Sequence, residues 1–546
     1  MAINVRTDDT VSKGHSGRLS TWTTVVLLAA IMGAALALHL WGIRRDLPFD
    51  NDLDEANFVL PAVRIAATGD LNPGWFGHPG STLIYPLAAV YRAWDITDRP
   101  AFLQGTSEFY LLGRLVSVTY AVLSIPLVFL AGRLAFGTEG ALAALLGAWL
   151  TVLLPTTVDM AQTTRTDSAC IFFTLLTLWL CLLMYARPTI RRALCAGTAA
   201  GLAVSTKFSL MALVPCFVVV LMRALWRDRS RPSGRLSPRA HTAASSADTW
   251  ACLAIGLLTV PVAFAASSPY LFLDSAKALA NIQTEARSAQ LGADGFSPVQ
   301  NFYWYIGSIL PATLGSARVL LALTGAAVAL WRRAMPPFIL FGFVLLYLIE
   351  ISLHPLHWAH WVGPLLPVGM LFVAAGLVGT VTLLADRLHA PAALRTAAVL
   401  LAAASLSYTP LCSIIRSDQL RANPSTQVVA RLWIIEHLPP GSRIAAEWYT
   451  APLKQTGFDV GVQFSLANHS VEDYARSGFR YLLVSSSIYD LYFNEPTRYP
   501  TEVAFYRSLP SKCRLLEQLE PSATHGGPTV QVYELPIEAH PPSTPP

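Results

Sequence analysis

Long apolar segments recur along almost the whole chain, and they constrain its fold more than any other feature of the sequence. A helix that crosses the hydrocarbon core of a bilayer needs about 20 mostly apolar residues. Segments near this length lie at 22–42, 109–130, 139–157, 168–186, 193–206, 209–226, 250–268, 315–331, 335–353, 362–384 and 394–412. Only 13% of the residues are charged, and the mean hydropathy is +0.46. The sequence therefore predicts a polytopic α-helical membrane protein with about 11 transmembrane helices.

The basic residues fall in alternate loops between these segments. Those in the loops predicted to lie inside are Arg133, Arg187, Arg191, Arg192, Arg332, Arg333, Arg387, Arg395 and the arginines from Arg223 to Arg239. Cytoplasmic loops carry an excess of Lys and Arg, so this pattern places the N-terminus in the cytoplasm. Residues 43–108 then form the first outer loop, and everything after residue 412 also faces outward.

The composition changes after the last apolar segment, and this change divides the chain. The predicted regions are a cytoplasmic N-terminal segment (1–20), a transmembrane domain (21–412), an extracytoplasmic α/β domain (413–536) and a disordered tail (537–546). In the α/β domain, VVARLWIIEHLPPG and VAFYRSL have helical patterns, whereas RIAAE, RYLLVSS and PTVQVYEL are typical of strands.

Ala35 to Ala37 could mimic a signal-peptide cleavage site, but the many later spans favour an uncleaved signal anchor.

The stretch DNDLDEANF, Asp50 to Phe58, concentrates four carboxylates at the predicted outer mouth of the first span. Asp54 and Glu55 are adjacent, and adjacent side chains on a helix do not face each other. One of them can therefore point into a site while the other pairs with the scaffold. Alternatively, Asp54 only caps the helix that follows. Asp50 and Asp52 are typical of a solvated turn.

The outer loop continues with GDLNPGWFGHPGSTLIYPLAAVYRAW, Gly69 to Trp94, which contains His78. Glycine, proline and aromatic residues are dense in its first half, and an amphipathic segment follows. Such a segment can lie in the membrane interface and shape a groove for a lipid-linked substrate. It is also typical of a structural loop whose aromatic residues lie among the lipid headgroups. The two interpretations are compatible.

Three cations lie at the predicted outer ends of spans. Arg114 is near the start of the second span, Arg165 precedes Asp167 in TTRTDS before the fourth, and Lys207 lies in STKFS at a predicted hairpin tip. Arg114 could simply extend to the membrane surface, and Asp167 could be a helix N-cap. Lys207 lies where the positive-inside rule disfavours a lysine. For Lys207, anion binding is as good an interpretation as a structural role.

Several common kinds of site are not supported by the sequence. His354, His357 and His360 in HPLHWAHW have a spacing that invites a metal site. Their loop contains no Cys, Asp or Glu, so a loop at the membrane interface or a phosphate contact is favoured. No Walker loop, GxSxG elbow, HExxH or CxxC motif is present. A net charge of +5 without a dense basic tract gives no support for nucleic-acid binding.

The order of these features along the chain resembles that of the GT-C glycosyltransferases. It comprises one span, Asp54-Glu55 in a long outer loop, NPGWFGHPG, Arg114, RTD before the fourth span, STKF and a late WVGPLLP span. The order is most similar to the protein O-mannosyltransferase and aminoarabinose transferase group, over about residues 20–412. The late span departs from many relatives, since it has His360-Trp361 in place of Arg-Tyr. The tail lacks a WWDYG-like signature, which Glu447-Trp448-Tyr449 does not supply.

The resemblance implies an inverting enzyme that moves one sugar from a polyprenyl-phosphate donor to an acceptor outside the membrane. Asp54 would be the general base and Glu55 its neighbour in the site. Arg114 and Lys207 would hold the carrier phosphate, and Asp167 would support the acceptor or the loop. The other candidate substrate-binding residues are His78, Arg165 and His360.

The resemblance also implies location and partners. It places the chain in a bacterial plasma (inner) membrane, with a hexose or pentose as the sugar and a lipid, protein or cell-wall acceptor. No nucleotide cofactor is expected; relatives differ in divalent-cation use, and no metal ligand is predicted. One alternative is a transporter or flippase of a lipid-linked saccharide, which would usually carry charges near the bilayer midplane. Another is an inactive scaffold that presents the tail domain. Acids concentrated in outer loops favour the enzyme.

Overall fold

The computed structural model describes residues 20–49, 52–94, 107–137, 140–215, 217–219, 246–333 and 335–536. In this part of the chain, a large helical region is followed by a small domain with a five-stranded sheet. The helical region contains apolar helices long enough to cross a membrane. The predicted class, a polytopic α-helical membrane protein with a C-terminal α/β domain, is confirmed.

The helical region consists of long apolar helices and shorter helices between them. They are α1 (Thr21–Leu40), α2 (Leu53–Thr68), α3 (Ser81–Ala93), α4 (Ser107–Phe136), α5 (Ala141–Val152), α6 (Pro155–Ala161), α7 (Asp167–Ala186), α8 (Ile190–Thr206), α9 (Ser246–Ser267), α10 (Tyr270–Leu273), α11 (Ser275–Glu285), α12 (Pro298–Trp304), α13 (Leu310–Leu314), α14 (Ser316–Trp331), α15 (Met335–Leu353), α16 (Leu366–Arg387) and α17 (Ala392–Arg421). Further turns are the 3₁₀ segments Phe208–Ala212 and Ala359–Leu365 and the π-helical turn Tyr305–Ile309.

The helices that are long and apolar enough to cross a membrane overlap the predicted spans, but fewer are found among the described residues than the roughly 11 predicted. Within the described ranges, 7 helices are long and apolar enough to cross a membrane, or up to 9 if each bent pair is one span. One bent pair is α5 with α6, at 63°, and the other runs from Pro298 to Trp331, with a bend of 113°. The predicted segment 193–206 corresponds to α8, which has only 17 residues. The predicted span 209–226 lies partly outside the described residues.

Small residues let neighbouring helices approach closely. Gly325 on α14 lies against the carbonyl of Phe372 on α16, and Gly376 on α16 lies against the carbonyl of Leu321 on α14. A Cβ atom at either glycine would overlap the facing carbonyl oxygen. Membrane helices usually pack through such small residues, because lipid tails provide no hydrophobic drive between helices.

The first loop after α1 forms a helical layer beside the start of α4. α2 and α3 bury apolar faces against each other and against α4. Val59, Leu83, Leu87 and Tyr91 are completely buried there, and the Tyr91 hydroxyl donates to the Phe109 carbonyl at 2.7 Å. The segment predicted to be amphipathic is thus a packed helix, and its burial fixes the position of α2 and of the acids at its start.

The C-terminal domain is built on a mixed sheet. Its elements are α18 (Thr426–His437), β1 (Arg443–Glu447), β2 (Asp459–Gln463), α19 (Val471–Arg476), β3 (Tyr481–Ser485), α20 (Ser486–Asn494), α21 (Pro500–Lys512), β4 (Arg514–Leu519) and β5 (Val530–Glu534), with a short 3₁₀ turn at Leu466–Asn468. The strand order is β2-β1-β3-β5-β4. Strand β1 is parallel to both of its neighbours, β2 and β3. Strand β5 is antiparallel to both of its neighbours, β3 and β4. The predicted strands correspond to β1, β3 and β5, whereas β2 and β4 are additional.

The C-terminal domain contacts the segment that follows α1. α17 continues to Arg421, beyond the predicted boundary at 412, and leads into this domain. The Ser425 N–H donates to Asp46 Oδ1 at 3.0 Å. The Arg431 guanidinium lies 4.6 Å from the centre of the Phe49 ring. The α/β domain is therefore held beside the N-terminal end of α2.

Candidate active site

Asp54 and Glu55 lie in the first turn of α2, and their side chains have opposite environments. Glu55 is completely buried, whereas the Asp54 side chain is 62% exposed. The helix is capped by Asp52, whose carboxylate accepts a hydrogen bond from the Asp54 N–H at 3.2 Å. The expectation that Asp52 lies in a solvated turn is wrong, and burial raises the pKa of this carboxyl. Asp50 lies outside the described residues.

Glu55 forms a buried ion pair with Arg114 of α4. Arg114 Nε donates to Glu55 Oε1 at 2.9 Å, and Nη2 donates to Oε2 at 2.7 Å. This is the two-pronged geometry that a guanidinium and a carboxylate favour. The Thr164 N–H also donates to Glu55 Oε1, at 2.7 Å. The pair therefore ties α2 to α4 and to the segment that precedes α7.

Arg114 has little capacity left for a ligand. Its Nη1 donates to the carbonyls of Ile43 and Arg45 at 2.8 and 2.9 Å, and its side chain is only 2% exposed. Together with the two bonds to Glu55, this occupies four of its five N–H groups. That Arg114 holds the carrier phosphate and that Glu55 is the neighbour of Asp54 in the site stay predictions. Both residues position the start of α2.

Asp54 lines a cavity between the helical region and the C-terminal domain. The cavity has a volume of about 490 Å³. Its charged lining consists of Arg45, Asp46, Asp52, Asp54, Arg114, Arg165 and Arg421, and the C-terminal domain contributes Tyr449 and Gly527. Clefts between domains that carry a few convergent polar groups are common ligand sites. This cavity is therefore the candidate active site.

Arg165 lies beside Asp54 and connects it to further charged groups. Its guanidinium nitrogens are 3.6 Å from the Asp54 carboxylate, 3.9 Å from that of Asp159 and 3.9 Å from that of Asp167. Burial opposes the charge of Arg165, but the surrounding carboxylates raise the pKa of its guanidinium. These separations exceed hydrogen-bond length, so an oxygen of a bound ligand can compete for the guanidinium.

Lys207 lies on the other side of Asp167. Its ammonium nitrogen is 3.7 Å from Asp167 Oδ1 and 5.7 Å from the centre of the Trp361 ring. Lys207 directly follows α8, and Asp167 is the first residue of α7. Arg165 and Lys207 therefore flank a single carboxylate. We name the row Asp54, Arg165, Asp167 and Lys207 the charged row.

His78 and His360 approach the charged row. Each interacts electrostatically with Asp167 and Lys207. Burial, and after it the charge of Lys207, lowers the pKa of His78 to about 4. His78 is therefore a neutral imidazole at neutral pH. The predicted residues that the structure brings together here are Asp54, Arg165, Asp167, Lys207, His78 and His360.

The charged residues of the site that were not predicted include Arg45, Asp159 and Arg421. Arg421 Nη2 donates to Asp159 Oδ1 at 2.5 Å, and Arg45 Nη1 is 3.9 Å from the same oxygen. Asp159 and Arg165 both lie between the predicted spans 139–157 and 168–186, and this shared location was an available signal. Arg421 is separated from Asp159 by 262 positions, and nothing in its local sequence indicates the contact.

The three histidines of HPLHWAHW have separate environments. His354 Nε2 lies 3.6 Å from Glu350, and the His357 ring stacks on Phe296 with centres 4.3 Å apart. Only His360 faces the charged row. Among the described residues, no group of three or more His, Cys, Asp or Glu is arranged to hold a metal ion. The positive charges described at the site belong to arginine and lysine side chains.

One protein-family model matches part of the sequence. Residues 28–273 match the model described as dolichyl-phosphate-mannose-protein mannosyltransferase. This stretch contains the whole charged row. No curated protein matches the sequence at a significant level.

Solved structures of membrane glycosyltransferases resemble the whole chain. ArnT from Cupriavidus metallidurans bound to undecaprenyl phosphate has a TM-score of 0.54 and 14% identity, covering 95% of this chain and 99% of that chain. The oligosaccharyltransferase AglB from Archaeoglobus fulgidus, in complex with an inhibitory peptide and a dolichol-phosphate, has a TM-score of 0.50 and 15% identity, with coverages of 96% and 75%. The Archaeoglobus fulgidus oligosaccharyltransferase tethered with an acceptor peptide has a TM-score of 0.52 and 13% identity, with coverages of 91% and 72%. These likenesses establish a shared GT-C fold.

Proposed function

We propose that the chain is a multi-pass membrane glycosyltransferase that transfers a single sugar from a polyprenyl-phosphate donor to an acceptor, with inversion at the anomeric carbon; the family-model match and the shared fold support this. The sugar is a hexose or pentose, and the acceptor is a lipid, a protein or a cell-wall polymer. The reaction takes place on the outer face of a bacterial plasma membrane, with the N-terminus in the cytoplasm and the α/β domain outside.

The donor class is supported by what the similar proteins bind. The ArnT structure holds undecaprenyl phosphate, the AglB structure holds a dolichol-phosphate, and the matching family model is described by dolichyl-phosphate mannose. These share a phosphate carried on a long lipid. Such a donor needs cations at the ends of membrane helices, where Lys207 follows α8 and Arg165 precedes α7.

Asp54 is the proposed general base. An acceptor hydroxyl is a weak nucleophile, and a carboxylate that takes its proton during attack lowers the barrier. Asp54 is suited to this role because its side chain is 62% exposed and lines the cavity that an acceptor can enter. This exposed carboxylate beside Arg165 is the single observation that carries the proposal.

Arg165 and Lys207 are proposed to stabilise the departing phosphate. In the reaction, the acceptor oxygen bonds to the anomeric carbon, the bond from that carbon to the phosphate oxygen breaks, and the acceptor proton passes to Asp54. The leaving phosphate oxygen gains negative charge and is stabilised by fixed cations. Inversion requires the base and the leaving group on opposite sides of the anomeric carbon. Asp54 and Lys207 lie at opposite ends of the charged row, which fits this requirement.

Transport of a lipid-linked saccharide is the alternative that the sequence raised. A transporter would place ionisable groups near the middle of its spans. The main candidate, Glu350, lies near the end of α15 and 3.6 Å from His354. The charged row lies instead at helix ends, beside the α/β domain. These positions favour the transfer reaction over transport.

Sugar transfer from a panel of radiolabelled polyprenyl-phosphate sugars tests the proposal. Membranes would contain either the wild type or Asp54→Asn at matched protein levels. We expect the wild type to transfer label from at least one donor and the Asp54→Asn variant to lose this transfer. Equal transfer by both would remove Asp54 from the mechanism, and movement of an intact donor across the membrane without transfer would support the transporter. The same assay with and without EDTA measures metal dependence.

A further inference from the structure

A second cavity lies where the C-terminal domain meets the segment between α11 and α12. Its volume is about 540 Å³. Three of its lining residues are aromatic, namely Trp448, Phe464 and Tyr499. Its polar lining includes Arg287, Gln290 and Asp294. The Trp448 side chain is 40% exposed. We name this the aromatic cavity; it shares no lining residue with the cavity that contains Asp54.

The aromatic wall is held by the edge of the sheet. Trp448 follows β1, and its backbone N–H donates to the Gln463 carbonyl at 2.9 Å, which extends the pairing with β2. Its ring meets that of Phe464 edge to face, with centres 5.3 Å apart. Because both rings are attached to paired strand ends, the exposed Trp448 face is preorganised, which lowers the entropy cost of binding a ligand.

Buried hydrogen bonds fix the residue immediately before Trp448. The Glu447 carboxyl is 1% exposed and accepts hydrogen bonds from the N–H groups of Leu466 and Ser485, each at 3.0 Å. The Tyr506 hydroxyl also donates to it. A satisfied buried network of this kind rigidifies its surroundings. Glu447 therefore fixes the backbone immediately before Trp448 and Tyr449, which line the two cavities.

Two consecutive residues line different cavities. Trp448 lines the aromatic cavity, and Tyr449 lines the cavity that contains Asp54. Tyr449 has a backbone φ of +61°, in the left-handed region that residues other than glycine rarely adopt. This backbone turn sends two neighbouring aromatic side chains to different sites. The linings of the two cavities are therefore connected by the backbone of Glu447, Trp448 and Tyr449.

The opposite wall is tied to the C-terminal domain by a two-pronged ion pair. Arg498 Nη1 and Nη2 donate to the Asp294 carboxylate at 2.6 and 3.0 Å. Asp294 also accepts from the Gln290 N–H at 2.8 Å, and Arg287 Nε donates to Gln290 Oε1 at 3.0 Å. These contacts hold polar side chains opposite the aromatic rings, where they can meet the hydroxyl groups of a ligand.

We propose that the aromatic cavity binds a saccharide portion of the acceptor. A sugar ring has an apolar face of C–H groups and a rim of hydroxyls, so it needs a flat aromatic surface together with a few hydrogen-bonding groups. Trp448 and Tyr499 provide the surface, and Arg287 and Gln290 provide the polar groups. An acceptor bound here extends past Tyr449 towards Asp54. This inference rests on the proposed function and defines its acceptor as a glycan or glycolipid.

The test measures glycan binding without any donor. The full chain in lipid nanodiscs is applied to an array of immobilised oligosaccharides that contain hexoses, pentoses and amino sugars, and affinity for the strongest is then measured in solution. We expect Trp448→Ala and Tyr499→Ala to weaken this affinity at least tenfold. Trp448→Phe, which keeps a flat ring, should retain most of it. Leu515→Ala is the matched control, because Leu515 is 44% exposed on β4 and lines neither cavity.

The outcomes separate this inference from the proposed function. Unchanged affinity in Trp448→Ala and Tyr499→Ala, or no glycan bound by the wild type, would overturn the saccharide site. Asp54→Asn should lose sugar transfer but keep glycan affinity within twofold. If no donor supports transfer while Trp448→Ala still weakens glycan binding, the proposed function fails and the saccharide site stands.

Discussion

Asp54 and Glu55 are neighbours in the chain, but the surrounding structure gives them different environments. Glu55 is completely buried and shares two hydrogen bonds with Arg114. Asp54 is mostly exposed and has only a loose ionic contact with Arg165, at 3.6 Å. A buried, fully paired charge maintains structure, whereas an exposed charge with long contacts can exchange its partners for a ligand. The difference shows that burial and pairing, rather than residue type, decide which acid of such a pair can act in chemistry.

The same contrast separates the two arginines of the site. Arg114 has four of its N–H groups engaged by one carboxylate and two carbonyls. Arg165 faces three carboxylates, none closer than 3.6 Å. Arg114 therefore belongs to the scaffold, and Arg165 to the group that can meet a phosphate. Substitutions at these positions test this division.

The largest expected effect on stability follows from removing one partner of the buried pair. Arg114→Met leaves the Glu55 carboxylate buried without its cation, and breaking a buried pair in this way costs about 3–5 kcal/mol. We expect a lower melting temperature and less monodisperse protein after extraction from the membrane. Thermal unfolding of the full chain in nanodiscs measures this. The double variant Glu55→Leu with Arg114→Met should lose less stability than either single variant, because it leaves no unpaired charge.

A melting temperature for Arg114→Met equal to that of the wild type would contradict the assignment of this pair to the scaffold. A large loss in the double variant, equal to the sum of the single losses, would also contradict it. Arg133→Met is a suitable control, since Arg133 lies on the same helix and has no ion-pair partner among the contacts described.

Glu447 extends this comparison, because it is a buried acid that has no cationic partner in the described part of the chain. Burial raises its pKa to about 7, from the ordinary value of 4.5 for a glutamate. A carboxyl whose folded-state pKa is raised contributes stability below its unfolded pKa and loses that contribution as the pH rises through the folded pKa. The C-terminal domain should therefore lose on the order of 3 kcal/mol between pH 4.5 and pH 8 through this group.

Thermal unfolding of the full chain at pH 5 and pH 8 tests this prediction. The decrease in stability at pH 8 should be smaller in Glu447→Gln, which cannot ionise. An identical pH dependence in the variant and the wild type would show that Glu447 does not titrate in this range.

The smallest expected effect concerns Lys207. Lys207→Met removes one of the two cations proposed for the carrier phosphate, and a hydrogen bond to a charged group contributes about 1.5–3 kcal/mol. We expect the KM for the polyprenyl-phosphate donor to rise about 10-fold to 100-fold, with partial recovery in Lys207→Arg. Initial rates of transfer at varied donor concentration measure this.

Lys454→Met provides the control for the loss of a lysine, because Lys454 is exposed in the C-terminal domain and lines none of the cavities. A donor KM in Lys207→Met equal to that of Lys454→Met would remove Lys207 from phosphate binding. The charged row would then rely on Arg165 alone for that role.

Much of the fold can be predicted because bilayer spans have a strong local signal. Each candidate span found in the described residues overlaps an apolar segment of the sequence. Strands β1 and β3 also have local signals, since RIAAE and RYLLVSS are apolar and largely buried. Strand β2 was missed because DVGVQ contains a glycine and lies at the sheet edge, and β4 because RLLEQL has a helix-like composition.

The site was less predictable because it depends on contacts between distant segments. The acids and cations near Asp54 could be found from their positions at the ends of spans. The pairing of Arg114 with Glu55 could not, since 59 positions separate these residues and their burial is set by the packing of α2 on α4. Tyr449 reaches the cavity through the docking of the C-terminal domain, and Arg421 reaches it from the end of α17; neither position has a local sequence signal.

The most direct test of the account compares Asp54→Asn with Glu55→Gln in the same preparation, with transfer rates normalised to folded protein. We predict that Asp54→Asn lowers the transfer rate by about 10²-fold to 10⁴-fold, the usual contribution of a general base, while its melting temperature stays at the wild-type value. Glu55→Gln should lower the melting temperature and keep more of the transfer rate for each folded molecule. Transfer by Asp54→Asn at the wild-type rate would show that Asp54 is not the general base.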